Sequence, residues 1–100
     1  MEKKIVWSNT ALLQLDNIHL YILKKSKSVT VANKVVEAIY MSVTILKSQS
    51  EIFPLDIYKG FNKGNYRAFE KFSYRISYRI EHNTIFIVRI RHTKRDKLDY

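Results

Sequence analysis

Two hydrophobic periods divide the chain. From Ala11 to Leu46 apolar residues recur every three to four positions, and from Tyr66 to Arg91 they largely alternate with polar ones. The first period lines one face of a helix; the second sorts side chains onto the two faces of a strand. Lys3 to Trp7 carries a short strand-type run, Ile5-Val6-Trp7, followed by Ser8, Asn9 and Thr10, all suited to cap a helix. Ala11, Leu15, Ile18 and Ile22 then predict a helix to about Lys25, where lysines suit the negative end of its dipole. Lys24 to Ser28 reads as a turn. Ser28 or Thr30 caps a second helix with Ala32, Val35, Ile39, Val43 and Leu46 on one face, ending near Ser48. So short a connection predicts an antiparallel helical hairpin.

Glu51 to Asn65 holds the one proline and both glycines and reads as a loop, with Lys59 and Lys63 exposed and mobile. Three strands follow, near Tyr66–Glu70, Ser73–Ile80 and Ile85–Arg91, with turns at Lys71-Phe72 and around His82-Asn83. Tyr74, Ile76, Tyr78 and Ile80 share one face of the central strand; Arg75, Ser77 and Arg79 take the other. In the last strand Phe86, Val88 and Ile90 share a face opposite Ile85, Ile87, Arg89 and Arg91. An odd-length loop, His82-Asn83-Thr84, pairs the two apolar sets and gathers Arg75, Arg79, Arg89 and Arg91. An even loop would press arginines into the core, where an unpaired charge costs several kcal/mol, roughly. The odd loop, with a bulge, is therefore expected. The fold class is α+β: an N-terminal strand, a helical hairpin and a three-stranded antiparallel run. These strands form one sheet, with one face on the helices and an arginine-rich face opposite. Residues 1–100 read as one domain.

Composition narrows the setting. Apolar residues at 46% and charged residues at 27% fit a folded domain. No apolar run is as long as a membrane-spanning helix, and the N-terminus lacks a signal-peptide core. With no cysteine, disulfides and thiolate chemistry are excluded. A cytoplasmic protein, away from membranes, is the expectation. The net charge of +9 is uneven: between Lys59 and Lys97 eleven Lys/Arg stand against three acids. Such a field suits nucleic acid or an acidic protein, and it also suits a merely solvated surface.

No phosphate loop, nucleophile elbow or His-x-x-x-His pair is present. His19, His82 and His92 are scattered, so neither metal nor cofactor is expected, and His19 and His82 read as incidental. What remains is a C-terminal cluster of Arg89, Arg91, His92, Lys94, Arg95 and Tyr100 facing Arg67, Arg75 and Arg79. RNA cleavage needs no more than these residue types. The 2′-hydroxyl is the nucleophile; the protein orients it, neutralises developing charge and supplies a proton donor. The alternative is that the arginines only solvate an exposed sheet face.

Three segments carry a resemblance. They are Ile5-Val6-Trp7-Ser8 leading into Ala11 and Leu15, Tyr74-Arg75-Ile76-Ser77-Tyr78-Arg79-Ile80, and Ile87-Val88-Arg89-Ile90-Arg91-His92-Thr93-Lys94-Arg95-Asp96. In order and spacing the chain resembles the RelE/ParE superfamily of toxins from bacterial type II toxin–antitoxin systems, over nearly its whole length. The resemblance implies the same strand, helical hairpin and three-stranded run. It also implies an acidic antitoxin that wraps the toxin, with operator DNA reached only through that complex. RelE-like members cut mRNA on the ribosome. On that branch Arg75 and Arg67 hold the phosphate, Lys59 or Lys63 helps to activate the 2′-hydroxyl, and Lys94 or Arg95 stabilises the transition state. Tyr100 stacks or donates a proton, and Arg79, Arg89, Arg91 and His92 bind RNA. ParE-like members instead poison DNA gyrase without chemistry of their own. Arg75, Tyr100 and the loop lysines favour the ribosome-dependent endonuclease; the gyrase inhibitor is the alternative. A degenerate toxin retaining only antitoxin and operator binding is the third. Tyr100, the last residue, is expected to fray.

Overall fold

The computed structural model describes residues 2–100. The elements run β1 (Lys4–Trp7), α1 (Asn9–Ser26), α2 (Val29–Ser42), a 3₁₀ turn (Thr44–Lys47), β2 (Tyr66–Lys71), β3 (Tyr74–Glu81) and β4 (Thr84–His92). Ser8 caps α1, its hydroxyl accepting the Ala11 amide at 3.0 Å. The helix closes on Lys27, in the left-handed region at φ 54°, whose amide donates to the Leu23 carbonyl. Ser28 caps α2 in the same way through the Val31 amide. The second helix stops at Ser42, short of the expected Ser48. The Ser42 and Thr44 hydroxyls donate to the carbonyls of Ile39 and Met41, competing with the helical ladder over a β-branched run. Val29–Lys47 is also as long and apolar as a membrane span, which the sequence reading did not anticipate. Lys34 and Glu37 interrupt it, and Ala32, Ile39, Val43 and Leu46 are buried.

The sheet has the order β1-β4-β3-β2, with β1 parallel to β4 and the other neighbours antiparallel. Ala11, Leu15 and Ile18 of α1 and Ile39 of α2 pack on Ile76, Tyr78, Ile85, Ile87 and Ile90. The helical period therefore identified the buried face of α1 correctly.

The last hairpin differs from expectation in its turn. Glu81 pairs with Thr84, so the loop is the two-residue His82-Asn83, not the odd-length one. The register is corrected further on: Tyr78 faces Ile87 but Ser77 faces Arg89, leaving Val88 as the extra residue of a bulge. Before the bulge Ile85 and Ile87 enter the core; after it Ile90 does. Phe86, expected inside, lies outward beneath the Arg79 guanidinium, 4.6 Å from its ring. The four arginines still share a face, because a mid-strand bulge does what an odd loop would have done. The β2–β3 turn is Phe72-Ser73, one residue later than expected, with both residues at positive φ (53° and 65°).

The largest correction concerns the segment between the 3₁₀ turn and β2. Residues 51–65 were expected to be a loop with Lys59 and Lys63 exposed and mobile; instead the segment from Asp56 onward folds over the arginine face together with the last residues, 97–100. Asp56 and Ala68 donate amides to the Tyr66 and Pro54 carbonyls, and the loop is laced to the C-terminus: Gly60 donates to the Tyr100 carbonyl at 2.7 Å, Tyr100 to the Tyr58 carbonyl at 3.0 Å. A Cβ on Gly60 would stand 3.3 Å from that Tyr100 oxygen, so the approach suits glycine. Tyr100 is anchored, not frayed.

Candidate functional site

Asp56 organises the covered face. Its carboxylate is buried and accepts from Arg75 at 3.0 Å and from the Tyr100 hydroxyl at 2.8 Å, on separate oxygens. The Tyr58 amide adds a third bond at 3.0 Å, closing a tight local turn. Burial alone would raise the pKa of Asp56; the hydrogen bonds from Tyr100, Arg75 and Tyr58 outweigh it and hold the carboxyl below its ordinary value. Burial, with Asp56 beside it, pushes the Tyr100 phenol up to about 12. Arg91 completes the cluster. It donates to Ser77 at 3.1 Å and to the carbonyls of Lys97 and Leu98, tying down the C-terminal segment. Burial lowers its pKa, although Tyr100 and Asp56 oppose this.

Arg75 therefore does face away from the helices, as its strand position predicts, but it is 9% exposed and ion-paired. Its guanidinium stacks 4.8 Å from the Tyr58 ring and also reaches Glu70 at 3.5 Å. It is a clamp between sheet and loop, not an open phosphate fork.

Beside the clamp lies a groove of about 350 Å³ lined by Ser8, Thr10, Lys59, Tyr66, Val88, Arg89 and Tyr100. Lys59 stands 4.8 Å from the Tyr66 ring and 5.2 Å from the Tyr100 ring, and Arg89 stands 5.0 Å from Tyr100. Two cations, two phenol rings and no acid suit an anionic group carrying a planar ring. Tyr100 itself is a poor proton donor to this groove, because its hydroxyl is turned to Asp56 and its proton is held tightly.

The remaining expected site residues do not line this groove. Arg67 projects to the helix side, level with Tyr78, and donates to the Phe53 carbonyl at 2.6 Å. Arg79 is paired with Glu81 at 3.2 Å. Lys63 is exposed in the loop and Lys94 in the turn after β4. Arg95 stacks 3.6 Å from Tyr21 of α1 and donates to the Tyr74 hydroxyl. His92 packs edge-on against Tyr74 and accepts the Lys94 amide. Burial lowers its pKa, with Arg95 and Lys94 adding to the effect. Thus Arg75, Arg91, Arg89, Lys59 and Tyr100 converge on one face, whereas Arg67, His92 and Arg95 belong with the opposite face. Among the described residues no three His, Asp or Glu side chains gather as metal ligands.

Sequence reasoning missed Asp56, Ser77 and Tyr66. A signal for Asp56 was present: it is the only acid between Glu51 and Glu70, in a stretch otherwise basic or neutral. A lone acid facing a strand of arginines is a candidate partner.

The family model described as the ParE toxin of type II toxin-antitoxin system, parDE, matches residues 5–97. No curated protein matches significantly. Among solved structures, a chain of the chromosomal ParDE TA system from P. aeruginosa is similar at 19% identity and TM-score 0.74, with 93% of this chain and 98% of that chain covered. A chain of the toxin–antitoxin complex RelBE2 from Mycobacterium tuberculosis is similar at 17% identity and TM-score 0.55, with 92% and 99% covered. At these identities the likeness establishes the fold.

Proposed function

The chain belongs to the ParE toxin family of type II toxin–antitoxin systems, and on that premise we propose that it poisons DNA gyrase by binding it, without bond chemistry of its own. The observation that carries this reading is the Asp56 clamp. Arg75 and Tyr100, which with the loop lysines favoured RNA cleavage in the sequence, both donate to one buried carboxylate. Arg95, one of the two residues assigned to the transition state, is held on Tyr74 and Tyr21, away from Lys59 and Tyr100. A nuclease holds its clamp, base and acid within reach of one phosphate. A binding toxin needs only a rigid, charged surface, and the clamp makes one. Within this reading the partner in the resting state is a cognate acidic antitoxin, complementary to the +9 charge, and the site of action is the cytoplasm.

Purified protein added to gyrase, supercoiled DNA and ATP is expected to accumulate DNA cleaved in complex with gyrase. Messages cut inside codons on ribosomes, with gyrase unaffected, would overturn the reading in favour of the RelE-like endonuclease.

A further inference from the structure

We propose that the tip of the 51–65 segment is the surface that grips the target protein, with Ile57 and Phe61 as anchors and Lys59 and Lys63 as flanking cations. This rests on the binding reading above and assigns it a contact. Phe61 is 101% exposed and Ile57 is 81% exposed, and Leu55 and Tyr58 extend the apolar surface. Several exposed apolar side chains close together along one loop mark a binding surface more often than a scattered leucine does. Phe61 is also held at φ 55°, in the left-handed region that aromatic residues avoid. Strain of this kind persists where the surroundings over-determine the backbone, and they do so here. Asn62 donates to the carbonyls of Asp56 and Tyr66 and accepts the amides of Gly64 and Tyr66. Gly60 is tied to Tyr100 from the other side. The loop is thus a pre-formed display, and little ordering remains to be done on binding.

Shape and charge select the occupant. A fully exposed Phe is a knob, so its partner supplies a hollow of the kind a folded protein surface presents. From Ile57 to Phe69 the charged residues are Lys59, Lys63 and Arg67, with no acid; the complementary hollow carries an acidic rim. A second copy of this chain would set like charges against each other, and Ile57 and Leu55 offer nothing to a nucleic-acid backbone.

The test measures affinity for purified gyrase with wild type, Phe61→Asn and Ile57→Ser, together with the thermal midpoint of each. Each variant is expected to bind on the order of tenfold more weakly, the size of a central anchor. Asn tolerates positive φ, so Phe61→Asn is expected to keep or raise the midpoint. Affinity within twofold of wild type in both variants would overturn the proposal, as would a loss of affinity that tracks a lowered midpoint. If wild type itself fails to bind gyrase, the gyrase reading falls and this contact falls with it.

Discussion

At Asp56 one carboxylate serves an arginine, a tyrosine and a backbone amide, so single substitutions there carry unusual weight. Removing one partner of a buried ion pair leaves the other charge uncompensated and costs about 3–5 kcal/mol. Arg75→Ala and Asp56→Asn are each expected to lose stability of that order in urea unfolding, and to be non-additive when combined. A loss under about 1 kcal/mol, the size typical of exposed pairs, would return Arg75 to the solvent-facing role its strand position first suggests. Acid dependence follows from the lowered pKa of Asp56. The stabilisation is full above the ordinary value of 3.8 and is lost as pH falls through the lower folded value. Asp56→Asn should flatten that acid limb of the stability curve. Tyr78 and Tyr100, raised to about 12, behave oppositely: their contribution is full below 10 and disappears as pH rises through 12. Ultraviolet titration should show both phenols ionising near 12, with Tyr100→Phe removing one of those steps. The outward aim of Arg75 was legible from alternation, since a strand fixes which way each residue faces. Its partner, 19 residues earlier, was not, because a loop without period gives no geometry to reason from.

The elements differ in how much their own residues reveal. In α1 a clean apolar spacing, a serine cap and terminal lysines agree, and the helix forms where they place it. In β4 the run Ile85-Phe86-Ile87-Val88 is apolar throughout, so alternation cannot choose its inner face. The bulge at Val88 makes the choice, and bulges leave no mark in such a run. The cost of burying arginines predicted the clustered guanidinium groups correctly, although it misplaced the device that achieves it. The β2–β3 turn offers a direct check on backbone geometry. Phe72 and Ser73 both adopt positive φ, a pair of positions that favours Asn-Gly. Replacing them with Asn-Gly should stabilise the protein by about 1 kcal/mol, read as a higher urea midpoint with an unchanged slope. A lower midpoint would mean that the exposed Phe72 side chain contributes packing that its neighbours conceal.

Across the whole molecule, the sheet separates a helix-packed core from a second layer made of the loop from Asp56 onward and the last residues, 97–100. Apolar patterning made the first layer legible and the resemblance of three motif segments made the family so; the second layer was left unseen, because it is assembled from side-chain bonds between segments without regular structure. That layer also changes the functional reading: it buries the arginine expected to hold phosphate and presents a rigid, basic surface with an apolar tip. On the function proposed above, this surface acts by binding gyrase. Pulse labelling of DNA and protein synthesis after induced expression tests it most directly. DNA synthesis is expected to fail first while translation continues and messages stay intact; an immediate halt in translation with messages cut inside codons, and DNA synthesis unaffected, would contradict gyrase binding.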